Sequence, residues 1–229
     1  MTRAVALLAL LAAAPAVAGK PTVAILYFDY EKEDELAVLK KGLTQMLISD
    51  LAGHEKVSLV ERVRLQDVLA ELQLAQSKKT DPETAVKVGK LLGAKYIVVG
   101  GYFQVLGQLQ VTARLVEVET SKTLAGVQAR GKPDDFFQLE QDVSGQLGKA
   151  FSEKIETAAT PAKEKAPPTE AKKVKKPAKL PLQQAVQYAR ALDAIDKKDQ
   201  ETAKKELQAV VKAQPDFELA TLDLATMMK

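Results

Sequence analysis

A chain of 229 residues holds one ordinary domain with accessories, or two small domains, and its 46% apolar and 28% charged residues are those of a globular protein. Its net charge of +3 is too small to imply a polyanionic partner by itself, and it contains no cysteine, which excludes a disulfide, a thiolate metal site, a cysteine nucleophile and an acylated cysteine. The single histidine, His54, leaves histidine-dependent metal and catalytic sites almost nothing to work with, while the absence of Trp and an aromatic content of 5% argue against stacking platforms for sugars or single strands.

In chain order, residues 1–18 read as a cleavable export signal. Arg3 is the positive head, Ala4 to Ala14 the apolar run, Pro15 the break, and Ala16-Val17-Ala18 the small-x-small site that places cleavage between Ala18 and Gly19. The run is shorter than the roughly 20 residues of a spanning helix. Its short, Ala-rich character points to bacterial export. The expected location is the periplasm, with the protein either free or peripheral at the outer membrane.

Thr22 to Phe28 is a nearly continuous run of β-formers and predicts a buried strand. Leu39, Leu43, Met46, Leu47 and Leu51 fall at helical spacing, and Gly53 is placed to end that helix. Val57 to Val60 reads as a second strand. Leu65, Val68, Leu69 and Leu72 make the next helical stripe. After a polar connector at Gln76 to Thr80, Thr80 or Asp81 caps a helix with Pro82 in its first turn and Gly93 at its end. Gly89 in its middle costs about 1 kcal/mol relative to Ala, which predicts a close backbone approach to a neighbour.

Tyr96 to Val105 is another buried strand, turned at Gly107-Gln108. Leu109, Val111, Ala113 and Leu115 then alternate with polar residues, the pattern of a strand with one wet face. The phase shifts at Leu115-Val116, which predicts a β-bulge and turns Val116 and Val118 inward. Leu124 to Arg130 is the last strand, and Leu139, Val143, Leu147, Phe151 and Ile155 mark a closing helix that starts near Asp134. The order β-α-β-α-α-β-β-β-α predicts an α/β fold: a single mixed sheet covered by helices, spanning residues 19–157.

From Ala158 to Pro181 the chain is Pro, Ala and Lys, with seven lysines against two glutamates. That composition buries too little surface to offset its ordering entropy and predicts a disordered linker that gives the tail reach. Residues 182–229 read as a short helical hairpin. Ala185, Tyr188, Ala189, Leu192 and Ile195 form one stripe and Ala203, Leu207, Val210 and Val211 the other; Glu218 to Met228 can start a third helix.

Several segments together resemble the curli production assembly/transport (CsgG-like) family and the related amino-terminal domain of TolB. They are Val23 to Asp29, Gly42 to Leu51, Leu59 to Leu72, Ala85 to Ala94, Tyr96 to Gly100 and Val111 to Thr120, in the family's order and spacing. The resemblance implies an envelope protein that works through protein-protein contacts, with no catalytic residue to carry over. Two departures bear on function: there is no cysteine to acylate, and the connections Leu106 to Gln108 and Glu119 to Lys122 are too short for membrane-crossing strands of about 9–11 residues each. The tail resembles one degenerate tetratricopeptide repeat through Tyr188, Leu192, Ala203, Leu207, Val210 and Pro215. A lone pair of this kind is below the roughly three repeats that such arrays need, so it either packs on a partner or is an ordinary hairpin. Tyr188, Leu192 and Leu207 are its candidate partner-binding residues.

Other features read more plainly. His54 follows a helix without accompanying ligands and is expected to be a solvated C-terminal cation. Asp29 ends a strand, and Gly100-Gly101 lacks the spaced glycines of a phosphate loop and reads as a bend. Lys172, Lys173, Lys175 and Lys176 suit either weak contact with anionic lipid or cell-wall polymer, or a solvated linker; export argues against nucleic acid. No catalytic, metal or cofactor site is expected. The partners expected are other envelope proteins or further copies of the chain, in a scaffold or adaptor; the alternative is a reduced, ring-forming component of a curli-type secretion system.

Overall fold

Five strands form one mixed sheet in the order β2-β1-β3-β4-β5. The computed structural model describes residues 19–30, 32, 34–73, 81–155, 174–175 and 177–228. The predicted export signal up to Ala18, the connector at 74–80, residues 156–173 and Lys176 lie outside the described residues. β1 (Thr22–Ile25) runs parallel to β2 (Ser58–Leu59) and to β3 (Tyr96–Val105), and each parallel step crosses over through helices. α1 (Leu39–Leu51), entered by a 3-10 turn at Glu35–Val38, separates β1 from β2; α2 (Arg62–Glu71) and α3 (Pro82–Leu91) separate β2 from β3. From there β3, β4 (Gln108–Glu117) and β5 (Thr123–Gly131) form an antiparallel meander, because short turns join antiparallel strands.

The sheet buries both faces. Val23, Ile25, Tyr96, Val98, Val111 and Leu115 point to one core, closed by α1 and by α4 (Phe136–Lys154). Ala24, Leu26 and Ile97 point to the other, closed by Leu65 and Leu69 of α2 and Ala85 and Val88 of α3. This two-sided burial makes the first strand a continuous apolar run. The register shift falls at Leu115/Val116 as the sequence predicts, but its physical meaning differs. β4 stays in continuous register with β3, and the extra residue is Leu124 on β5, between Ala125 paired with Leu115 and Thr123 paired with Val116. Val116 and Val118 face the second core because the strand passes from one buried face to two, so the hydrophobic pattern shifts without any slip of β4.

Local signals set the helix limits. Asp81 accepts a hydrogen bond from Thr84 N–H at 3.0 Å and Pro82 opens α3; Gly93, with φ of +66°, follows its end. Gly89 has the neighbours its position requires: a Cβ there would lie 2.7 Å from Ile97 Cγ2 and 2.9 Å from Val118 Cγ2. Gly100 and Gly101 lie where the chain beyond β1 rejoins β3 through a parallel bridge between Asp29 and Gly101. Asp29 N–H donates to Gly100 O at 2.9 Å, Tyr102 N–H donates to Asp29 O at 3.0 Å, and a Cβ on Gly100 would collide with Phe28.

The C-terminal region forms three helices, α5 (Leu182–Asp196), α6 (Gln200–Ala213) and α7 (Glu218–Met227). α5 packs on the outer side of α1, α6 on α5 and α7 on α6, and their buried residues join the same core as α1 and α4. Where composition predicts a tail with reach, the structure shows one that is seated. The reason is α1, which buries Gly42, Thr44, Ile48 and Ser49 as well as its predicted stripe and so is covered on two sides. The last described residues before α5 pack too: Leu180 is buried, and Ala178 N–H donates to Asp216 Oδ2 at 3.0 Å.

Candidate functional site

Helices α1 and α5 approach closely because both present small residues. A Cβ added to Gly42 would lie 3.0 Å from Ala189 Cβ and 3.6 Å from Ala185 O. Beside this contact lies a buried charge cluster. Asp193 and Asp196, one turn apart near the C-terminal end of α5, sit where the helix dipole disfavours carboxylates; Lys197 at the end of the same helix lies 2.7 Å from Asp193 Oδ2, and two further cations come from the α/β domain. Lys41 of α1 supplies one, with Nζ 2.8 Å from Asp193 Oδ1 and 2.8 Å from Asp196 Oδ2. Arg62 of α2 supplies the other, with Nη1 3.0 and 2.9 Å from the two Asp196 oxygens.

Asp196 thus ties α5 to two helices of the α/β domain. Arg62 Nη1 also donates to Tyr27 OH at 3.0 Å, and Tyr27 OH donates to Gln66 Oε1 at 2.9 Å. Burial pushes the Tyr27 phenol up to about 12, against the lowering effect of Arg62. Burial works against the Arg62 charge, but Tyr27 and Asp196 hold the guanidinium above its usual value. Burial also works to raise Asp193, yet hydrogen bonds from Lys197 and Lys41 keep it below the ordinary carboxyl range.

The three tail residues singled out by the sequence are all interior. Tyr188 and Leu207 are 0% exposed and Leu192 is 2% exposed, within the chain's own core. Tyr188 packs edge-on against Phe217 and its OH donates to Asp223 Oδ2 at 2.8 Å. Burial raises both the Tyr188 phenol and the Asp223 carboxyl, the latter despite the Tyr188 hydrogen bond. In this structure the partner of the α5 stripe is α1.

His54 is half-buried rather than freely solvated. Its Nδ1 accepts from Lys56 N–H at 3.3 Å, so Nε2 carries the hydrogen and donates toward Gly148 O at 3.1 Å, with Ser152 Oγ at 3.2 Å. It stands beside a cleft of about 300 Å³ between the end of α1 and α4, lined by Asp50, Gln141, Ser144, Gly145 and Gly148. Gln141 donates to Asp50 Oδ2 at 2.7 Å, so the polar groups there bind one another. Of the lysine run, Lys175 N–H donates to Glu218 Oε2, while Lys172, Lys173 and Lys176 lie outside the described residues.

A different surface, which sequence reasoning passed over, is the tip of the β3–β4 hairpin. Its two-residue turn holds Leu106 at φ +50° and Gly107 at φ +74°, the backbone that favours Asn-Gly. A leucine in that conformation costs about 1 kcal/mol. Leu106 is nevertheless 93% exposed, with Val105 at 50% and Phe103 at 45% beside it. The signal in the sequence was a leucine standing where the turn calls for Asn or Asp.

The fold is α/β: one mixed sheet with helices packed against both of its faces. The model of the family described as "Curli production assembly/transport component CsgG" matches residues 6–105, fewer than half of the chain, and over those residues the protein is similar to that family. The match takes in β1, α1, α2, α3 and β3 and stops at the hairpin tip. No curated protein matches the chain. Among solved structures it is similar to the LpoB C-terminal domain from Salmonella enterica, at 18% identity over 51% of this chain and 85% of that one, with a TM-score of 0.41. It is similar to TolB from Acinetobacter baumannii at 16% identity over 61% of this chain and 30% of that one, with a TM-score of 0.35. It is also similar to the PelC dodecamer from Paraburkholderia phytofirmans at 15% identity, over 60% and 89% of the two chains, with a TM-score of 0.32.

Proposed function

We propose that this protein is a non-enzymatic scaffold or adaptor of the cell envelope, exported to the periplasm by cleavage between Ala18 and Gly19, that meets another envelope protein through the tip of its β3–β4 hairpin. The observation that carries the reading is Leu106: an apolar side chain fully presented to solvent, held there by a backbone conformation that disfavours it, with Val105 and Phe103 alongside. Such residues gain free energy only when something covers them. The alternative, a ring-forming secretion component, draws less support, because the described connections between β3, β4 and β5 are short turns with no room for membrane-crossing strands. Tyr188, Leu192 and Leu207 serve a partner only if that partner opens the packing that buries them.

The test places a photo-crosslinking side chain at Gln108, beside the tip, in the exported full chain. A discrete adduct with another envelope protein, lost on Leu106→Asp, is the expected result. Leu106→Asp leaves the fold intact, since the side chain is solvent-exposed and Asp accepts positive φ more readily. An adduct that persists in Leu106→Asp, or no adduct at all, overturns the reading.

A further inference from the structure

We infer that the outer edge of β5 is a self-association surface, on which β5 of a second copy pairs antiparallel across a two-fold axis at Val127. The two edges of the sheet are built differently. β2 is two residues long, which blunts its edge, whereas β5 runs for nine residues from Thr123 to Gly131. β5 contains no proline, lysine or acidic residue, and its single charge is Arg130. Proline and lysine, which ordinarily keep an edge strand from pairing, are thus absent, and the bulge at Leu124 confines the regular edge to the residues from Ala125 to Gly131. Among the described residues β4 is the only strand bonded to it.

The outward backbone groups are located by a side chain. Gln146 of α4 folds over the edge, donating from Nε2 to Gln128 O at 2.9 Å and lying 3.4 Å from Gln128 N. Its amide occupies the place a neighbouring strand's peptide would take. Since outward groups recur every second residue, Gly126 and Arg130 present theirs on the same side. Gly126, Gln128 and Arg130 are all exposed.

The occupant that suits this edge is the edge itself. Antiparallel pairing about Val127 sets Gln128 against Gly126 of the second copy and Ala129 against Ala125, and the regular pairing ends at the Leu124 bulge. No like charges face each other, and each large residue meets a small or apolar one. Gln146 swings off the edge, Gly126 and Gln128 of the two copies exchange backbone hydrogen bonds in its place, and Val127 meets its own copy in a non-hydrogen-bonded pair, where side chains come closest. An isologous contact of this kind closes at two copies, unlike the head-to-tail contact of a ring. It does not involve the hairpin tip and stands independently of the function proposed above.

Because the chain has no cysteine, single cysteines report the geometry directly. In the full chain under mild oxidation, Val127→Cys is expected to form a disulfide-linked dimer at least tenfold faster than Arg130→Cys, whose copies lie six residues apart in register. Gly126→Pro, which removes an outward donor and spares the bonds to β4, is expected to abolish concentration-dependent dimerisation in light scattering while keeping the circular dichroism of the parent. Equal rates for the two cysteines, or a parent that stays monomeric at all concentrations, overturns the inference. Should Gly126→Pro fail to fold, the ratio of the two cysteine rates decides alone.

Discussion

The contact between α1 and α5 and the tip of the β3–β4 hairpin treat apolar surface in opposite ways. At the first, leucines, alanines and a tyrosine are withdrawn from water, and even the charges that accompany them are matched: Lys41 and Arg62 against Asp193 and Asp196. At the second, Leu106 stands in water on a backbone that resists it. The difference separates apolar surface that the chain buries against itself from apolar surface that it leaves in water. Composition alone would have assigned them the other way round, with a mobile helical tail to bind partners and an ordinary turn in the sheet.

The largest test of that comparison is Tyr188→Ala. Truncating a fully buried aromatic that also holds Asp223 should cost about 4 kcal/mol and release the tail, read as a fall in thermal midpoint and faster hydrogen exchange along α1. Exchange along α1 unchanged from the parent would show that the contact does not depend on α5. Next comes Asp196→Ala. It leaves Arg62 without its carboxylate and Lys41 with Asp193 alone, and breaking a buried pair in this way should cost about 3 kcal/mol in denaturant unfolding.

The hairpin should respond with the opposite sign. Leu106→Gly relieves the left-handed strain and buries nothing less, so it should stabilise the fold by up to about 1 kcal/mol. A loss of stability would mean that Leu106 is packed after all.

The smallest effect concerns pH. Burial raises the Asp223 carboxyl in the folded chain, so what it contributes to stability is present below its unfolded value and is lost as pH rises through the folded value. Asp223→Asn keeps an acceptor for Tyr188 OH and has no proton to lose. The thermal midpoint of the variant relative to the parent should therefore increase as pH is raised from the acid side of the ordinary carboxyl range toward neutrality. A constant difference across that range would place the burial of Asp223 in doubt.

Much of the fold is legible in the residues because it follows from local chemistry. The alternation in β4, the Asp81-Pro82 start and Gly93 end of α3, and the Lys197-Lys198-Asp199 break between α5 and α6 each follow from backbone preferences within a few positions. The site is less legible. Lys41 reads as part of a polar face, and only the approach of α5 turns it inward to the two aspartates. The carboxylates in the last turn of α5 were the available sign, since they oppose the helix dipole and Lys197 pairs with Asp193 alone.

What the sequence determined by itself is the set of elements, their order and the mixed sheet they build, because hydrophobic period and turn chemistry act over a few residues. What only the tertiary structure decided is which surfaces remain. The second face of α1 is closed by a segment more than a hundred residues downstream, through Gly42 against Ala189 and Lys41 against Asp193 and Asp196. The hairpin tip stays exposed, and the β5 edge is covered among the described residues only by the Gln146 side chain of α4. Burial depends on where distant segments meet, and that information resides in the packing of the whole chain rather than in any stretch of it.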